Sequence, residues 1–157
     1  MNARILAELD VALTDAEADA TALTPALIAQ ARAEAGGSRA VAASDWLAQQ
    51  LCWSSARLVA ALAHRLSLPW FDLAAMAALQ PAFDRLSYAE ASARGCVALL
   101  DAAADELVLL HANPFDDDLQ AWCDERLGLA CTRALASADD IAAYLARHED
   151  SILSLIH

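Results

Sequence analysis

The sequence predicts an α+β fold, in which a helical N-terminal half packs on a small mixed sheet of three or four strands. Alanine, the best helix former, occupies 41 of the 157 positions, and the chain is 59% hydrophobic. Helix-capping signals recur along the first half. Two short apolar runs in the second half, at 96–100 and 106–111, are too short for helices and are separated by five residues. We therefore predict helices first and a strand-containing unit after them.

The first half contains the start and stop signals of four helices. A capping box at Thr14 and Glu17 predicts a short helix, and the pair Thr24-Pro25 predicts the start of the next, which ends at Gly36-Gly37. A third helix is expected over 39–51. Ser54 is expected to cap a fourth, in which leucines recur every four residues, and residues 68–73 are expected to be extended.

The second half predicts a ββαβα order behind a short helix at 87–94. The runs 96–100 and 106–111 are expected to form a β-hairpin, followed by a helix over 116–126, a third strand over 129–135 and a last helix capped by Ser137 and Asp140. The last helix is expected to fray near His148. The strands on either side of the helix at 116–126 should be parallel, with a right-handed crossover.

Composition excludes several classes of function. The formal net charge is −12, and all ten basic residues are arginine. Without lysine the chain can form neither a Walker A phosphate loop nor a Schiff base, so we expect no nucleotide hydrolysis. The acidic balance disfavours nucleic acid and anionic membranes as partners. No signal peptide or uncharged membrane-spanning stretch is present in the sequence, which predicts a cytoplasmic protein without direct membrane insertion.

Residue types that could carry chemistry are scattered, and we predict neither a catalytic nor a metal centre. The four cysteines, none in a CxxC pair, are expected to be small buried thiols. The run Asp116-Asp117-Asp118 could bind magnesium, but its place at the start of a helix favours capping. His64 or His111 could act as a general base, yet neither has a nucleophile nearby in the sequence.

Several stretches, in order and in register, resemble the N-terminal domain of type II secretion and type IV pilus assembly ATPases. The stretch LSLPWFDL at 66–73 is similar to that family's LGLPYVDL. Further similarity follows at 86–95 (LPEELARRY in the family), 96–100 (VLPL), 107–116 (LVVAMADPTD), 127–129 (TGLPV) and 136–141 (ASRSDI). The segment 149–156 resembles EDSPIVRLVN, which leads into the ATPase core. The resemblance covers roughly residues 40–147.

The resemblance implies a non-catalytic docking and regulatory domain. It would recruit an ATPase domain, present in cis in the full-length protein, to the cytoplasmic domain of an inner-membrane secretion or pilus platform protein. The same domain also occurs fused to membrane glycosyltransferases or free-standing, which leaves a regulatory module of a glycosyltransferase as an alternative. We divide the chain into a helical subdomain (1–66), a small α/β subdomain (67–147) and the start of a linker (148–157) towards a missing C-terminal domain.

Cyclic di-GMP binding is a second alternative, because part of the family binds this ligand through stretches resembling RLGELLVERGLI. The corresponding stretch here is AASDWLAQQLCW at 42–53, where Ala42, Ser44 and Leu51 replace the family's arginine and two glycines. Arg39 and Arg57 are the remaining candidates for nucleotide contacts. These departures lead us to predict weak or absent binding of cyclic di-GMP, and no cofactor.

Tryptophans are the candidate anchors for a protein partner, since buried aromatic residues dominate binding energy at interfaces. Trp70 and Trp122 are expected in the core, whereas Trp46 and Trp53 lie next to polar or linking positions. We therefore place the partner-binding surface at Trp46, Gln49, Gln50 and Trp53. The acidic chain predicts a partner with a basic patch and an association that depends on salt.

Overall fold

A computed structural model describes residues 16–35, 42–128 and 131–156, with side chains up to residue 149. Residues 16–20 are helical. The helical half continues with α1 (Pro25–Ala35), α2 (Ala43–Leu51) and α3 (Ser55–Leu66). The α/β half contains α4 (Leu73–Ala77), β1 (Gln80–Pro81), α5 (Tyr88–Arg94), β2 (Cys96–Asp101), β3 (Glu106–His111), α6 (Asp117–Leu127), β4 (Thr132–Leu135) and α7 (Ala138–Ile156). The α+β prediction is thereby confirmed.

The predicted helix caps are present wherever the structure describes them. Thr24 Oγ1 accepts from the Leu27 amide at 3.2 Å, and Ser54 accepts from the Arg57 amide. Ser87 forms the predicted capping box with Glu90, and Asp116 caps α6 by accepting from the Leu119 amide. These contacts satisfy amide groups that a helix leaves without intrahelical partners. The signals at residue 14 and at residues 36–41 lie outside the described residues.

The four strands form one sheet in the order β1-β2-β3-β4. β2 pairs antiparallel with β1 and with β3, and β4 is parallel to β3 across the α6 crossover. The predicted hairpin and the predicted parallel pair are both confirmed. Because paired residues share a sheet face, the register places His111 on the same face as Leu135 and Arg133.

Two apolar cores match the two halves of the chain. The larger core lies among the sheet, α5, α6 and α7, and the smaller one among α1, α2 and α3. Leu135, at the end of β4, is the strand residue that enters the helical core. Its backbone also bonds to the segment 67–72 between α3 and α4, since its carbonyl accepts from the Phe71 amide (2.8 Å) and its amide donates to the Pro69 carbonyl (2.9 Å). Leu135 therefore connects both halves.

The structure corrects the predicted elements in three places. Helix α4, which Asp72 caps, and the two-residue strand β1 were not predicted. The predicted end of the last helix near His148 is wrong, because α7 continues to Ile156 and crosses the boundary that we placed at 147. The third strand begins at Thr132 within the described residues. Within the part of the chain that the structure describes, no helix has the length and apolar character needed to span a bilayer.

Candidate functional site

A cavity of about 460 Å³ lies where the first described segment crosses the C-terminal end of α3. One wall is made by the helical turn at 16–20 and the start of α1, and the other by two neighbouring basic side chains of α3. The lining residues are Glu17, Ala20, Thr21, Leu23, Thr24, Pro25, His64 and Arg65.

Two arginines of α3 hold this segment at its two ends. Arg57 makes a two-pronged ion pair with Asp19, with its Nε 2.8 Å from Oδ2 and its Nη2 2.9 Å from Oδ1. The hydrogen bond from Arg57 holds the pKa of Asp19 below its ordinary value. Arg65 Nε donates to the Leu23 carbonyl at 3.3 Å. The walls of the cavity are thus fixed by polar contacts on both sides.

The electrostatics of the cavity favour an anion carrying hydrogen-bond donors. The start of α1, with Thr24 as its cap, forms part of the wall, so the positive end of the helix dipole lies there. The side chains of His64 and Arg65 are exposed to solvent at the same wall. Glu17 also lines the cavity and supplies a carboxylate acceptor. Such a set can pair with a phosphate on one side and with N–H groups on the other.

The four residues predicted to bind a partner lie together on α2 and just after it. Gln49 and Gln50 are exposed, while Trp46 and Trp53 are half-buried and pack against the helical core. The guanidinium carbon of Arg57 stands 4.5 Å from the centroid of the Trp53 ring. Both indole side chains thus have accessible and buried portions, and partner binding at this surface stays a prediction.

Of the two arginines predicted for nucleotide contacts, Arg57 does not line the cavity. Arg39 lies outside the described residues. Arg57 is engaged with Asp19 and stacks on Trp53. The cavity instead presents Arg65, which the sequence analysis did not single out. The sequence feature that could have indicated Arg65 is its spacing from Arg57. Residues seven or eight positions apart fall on one face of a helix, and this face of α3 meets the 16–24 segment.

The remaining tryptophans and the two histidines considered as general bases lie in different surroundings. Trp70 and Trp122, predicted in the core, are half-buried, and Arg94 stacks over Trp122 at 4.6 Å. His64 is exposed and lines the cavity, whereas His111 is buried. Among the described residues, no three or more metal-ligating side chains form a group that could hold a metal ion.

The prediction that all four cysteines are buried is wrong for two of them. Cys52 is exposed, because it is the left-handed C-cap of α2 and projects from the helix end, and Cys131 is only partly buried. Cys96 and Cys123 are buried neighbours, and their contact together with burial raises the pKa of Cys96 above its ordinary value.

The order of elements, the mixed sheet and the capped helical half define an α+β domain. A family model, the MshEN domain, matches residues 66–155, so the chain belongs to the MshEN domain family. MshEN domains are regulatory N-terminal domains of secretion and pilus ATPases and are not catalytic by themselves. This confirms the family resemblance seen in the sequence. No curated protein matches the chain.

One solved structure similar to the chain is described as "Structure of MshE with cdg". It superposes with a TM-score of 0.58 at 20% identity, covering 86% of this chain and 96% of that one. Our prediction of no cofactor, with doubt about cyclic di-GMP, has to be corrected, because a structure of the same fold was determined with that nucleotide.

Proposed function

We propose that this domain binds cyclic di-GMP and regulates an ATPase domain of the same protein, on the cytoplasmic side of the inner membrane. The observation that supports the proposal most is the likeness to MshE with cdg, which extends over 96% of that chain. Membership of the MshEN family supports the regulatory role.

The cavity at the end of α3 is the site that we propose for the nucleotide. Its volume of about 460 Å³ lies within the range of small-molecule sites. Arg65 and the start of α1 suit a phosphate group, and Arg65 could equally form a paired contact with the O6 and N7 atoms of guanine. The carboxylate of Glu17 can accept from the N–H groups of a guanine edge.

Calorimetry with cyclic di-GMP tests this proposal. We expect binding by the wild-type chain and at least tenfold weaker binding by Arg65→Ala, a loss of about 1.4 kcal/mol. Arg85→Ala is the matched control, because Arg85 is an exposed arginine of the α/β half that does not line the cavity. Circular dichroism checks that both variants are folded.

Two outcomes would contradict the cavity proposal. Absence of binding by the wild-type chain up to about 100 μM would remove cyclic di-GMP as the ligand. Binding that survives Arg65→Ala unchanged, or that is weakened equally by Arg85→Ala, would place the nucleotide elsewhere.

Docking to the cytoplasmic domain of an inner-membrane platform protein is a second proposal, which nucleotide binding does not exclude. It is supported by the surface of Trp46, Gln49, Gln50 and Trp53, where two half-buried indoles stand beside two exposed amides. An aromatic side chain that is already held in place loses little conformational entropy on binding, which suits an anchor at an interface. The charge of −12 should speed association with a basic partner.

Replacing Trp53 with alanine should weaken platform binding at least tenfold, about 1.4 kcal/mol, because it removes the proposed anchor. Trp122→Ala is a close control: Trp122 is also half-buried and also carries an arginine, Arg94, stacked at 4.6 Å. It should bind normally. Surface plasmon resonance with the purified platform domain measures both. Equal losses in the two variants, or no loss in either, would refute this surface.

A further inference from the structure

His111 is a buried titratable residue at the junction between the two halves of the chain. It ends β3 and is 2% exposed. The strand register pairs it with Cys96 of β2 and Leu135 of β4. Its sheet face is the one that α6 covers, since Arg133, on the same face, bonds to Gln120 and Asp124 of that helix.

Helix α2 contacts the chain immediately after His111. The hydroxyl of Ser44 lies 3.2 Å from the Ala112 carbonyl oxygen and 3.0 Å from Oδ1 of Asn113. The same Oδ1 accepts from the Phe115 amide, so the loop after β3 is ordered around Asn113. Ser44 is itself buried. The helical half therefore meets the sheet through a small polar contact at the two residues that follow His111.

The imidazole of His111 is incompletely hydrogen-bonded. Its Nδ1 is buried and has no hydrogen-bond partner among the residues that the structure describes. In the neutral ring this atom can be an unprotonated acceptor. In the protonated ring it becomes an N–H donor, and burying a donor without an acceptor is unfavourable.

The surroundings favour the neutral ring. Burial lowers the pKa of His111, and the charge of Arg133 on β4 acts in the same direction. Asp116, at the N-cap of α6, and a backbone hydrogen bond at Asn113 act against this shift. On β2 the paired residue is the buried Cys96, and α2 places the uncharged hydroxyl of Ser44 at Asn113, two residues after His111. The net pKa lies below the ordinary value.

We propose that His111 is a proton-sensitive latch, whose protonation loosens α2 from the loop after β3 and frees the helical half from the sheet. This latch requires no bound ligand. Because the pKa of His111 is lowered by folding, the junction is fully stable above the ordinary histidine pKa of about 6.5. Its stability is lost as pH falls below that value towards the pKa in the folded chain.

Hydrogen exchange of the α2 amides, expressed as protection factors at pH 7.5 and pH 5.0, tests the latch. We expect protection of α2 to fall at least tenfold at pH 5.0 in the wild-type chain, while β2 stays protected. His111→Gln should abolish the pH dependence. His148→Gln, at a histidine of α7 in the α/β half, should keep the pH dependence of the wild type.

If His111→Gln does not fold, the titration of His111 in the wild-type chain tests the latch. The ring of His111 in the wild-type chain should titrate below pH 6.5 by nuclear magnetic resonance, together with the loss of α2 protection. The latch is refuted if α2 protection does not change with pH, if His111→Gln keeps the full response, or if the ring titrates at or above 6.5.

Discussion

Replacing Leu135 with alanine should lower the free energy of unfolding by about 3 kcal/mol, as is typical when a fully buried leucine is truncated and its neighbours cannot fill the space. Leu135 has no exposed surface, and its side chain lies in the helical core although its backbone belongs to the sheet. The cavity left by the substitution would lie where the two halves meet. We therefore expect the contact between the halves to weaken along with overall stability.

Urea denaturation followed by circular dichroism measures this effect. Leu66→Ala is the control, because Leu66 ends α3 but is 39% exposed, and the substitution should change the unfolding free energy by less than about 0.5 kcal/mol. Equal small losses in both variants would show that Leu135 does not connect the two cores in the way its position indicates.

The parts of the fold that could be predicted from the sequence are those determined by local chemistry. Ser54, Ser87 and Asp116 each precede a helix and bond to an amide two or three residues inside it, so their side chains mark the start wherever they occur. The β-hairpin could be predicted because two apolar runs of strand length flank the five-residue stretch 101–105, which begins and ends with aspartate. The parallel pairing followed from the helix between the strands.

The missed elements depend on tertiary contacts. β1 has only two residues, one of them Pro81, and exists because it pairs with β2. Helix α4 has five residues and is marked only by its cap at Asp72. The expected fraying near His148 did not occur, since that ring packs against Tyr144, with a centroid separation of 4.5 Å, and against Phe83.

The candidate site was harder to predict than the fold, because it forms between segments that are distant in sequence. Arg57 was a reasonable candidate for a nucleotide contact, but its partner Asp19 lies 38 residues away and cannot be inferred from spacing. Arg65 follows His64 in α3, and the sequence pattern of that helix indicated only its apolar face. That these two basic residues face the start of α1 becomes apparent only when the helices are packed.

Replacing Ala31 with leucine should lower the free energy of unfolding by about 2 kcal/mol, because the added side chain has no room. Ala31 has no exposed surface and lies on the side of α1 that packs against α2, in the core that contains Ala43 and Leu47. Overpacking at this point must displace one helix from the other.

The same substitution at Ala29 separates packing from helix propensity. Ala29 is exposed and lies two residues before Ala31 on the same helix. Two residues correspond to a rotation of about 200° around the helix axis, so Ala29 faces the other side of α1. Ala29→Leu should change the unfolding free energy by less than about 0.5 kcal/mol. If thermal or urea denaturation gives equal values for the two variants, the abundance of alanine reflects helix propensity alone. A loss confined to Ala31→Leu would show that the small side chain is required for the close approach of α1 and α2.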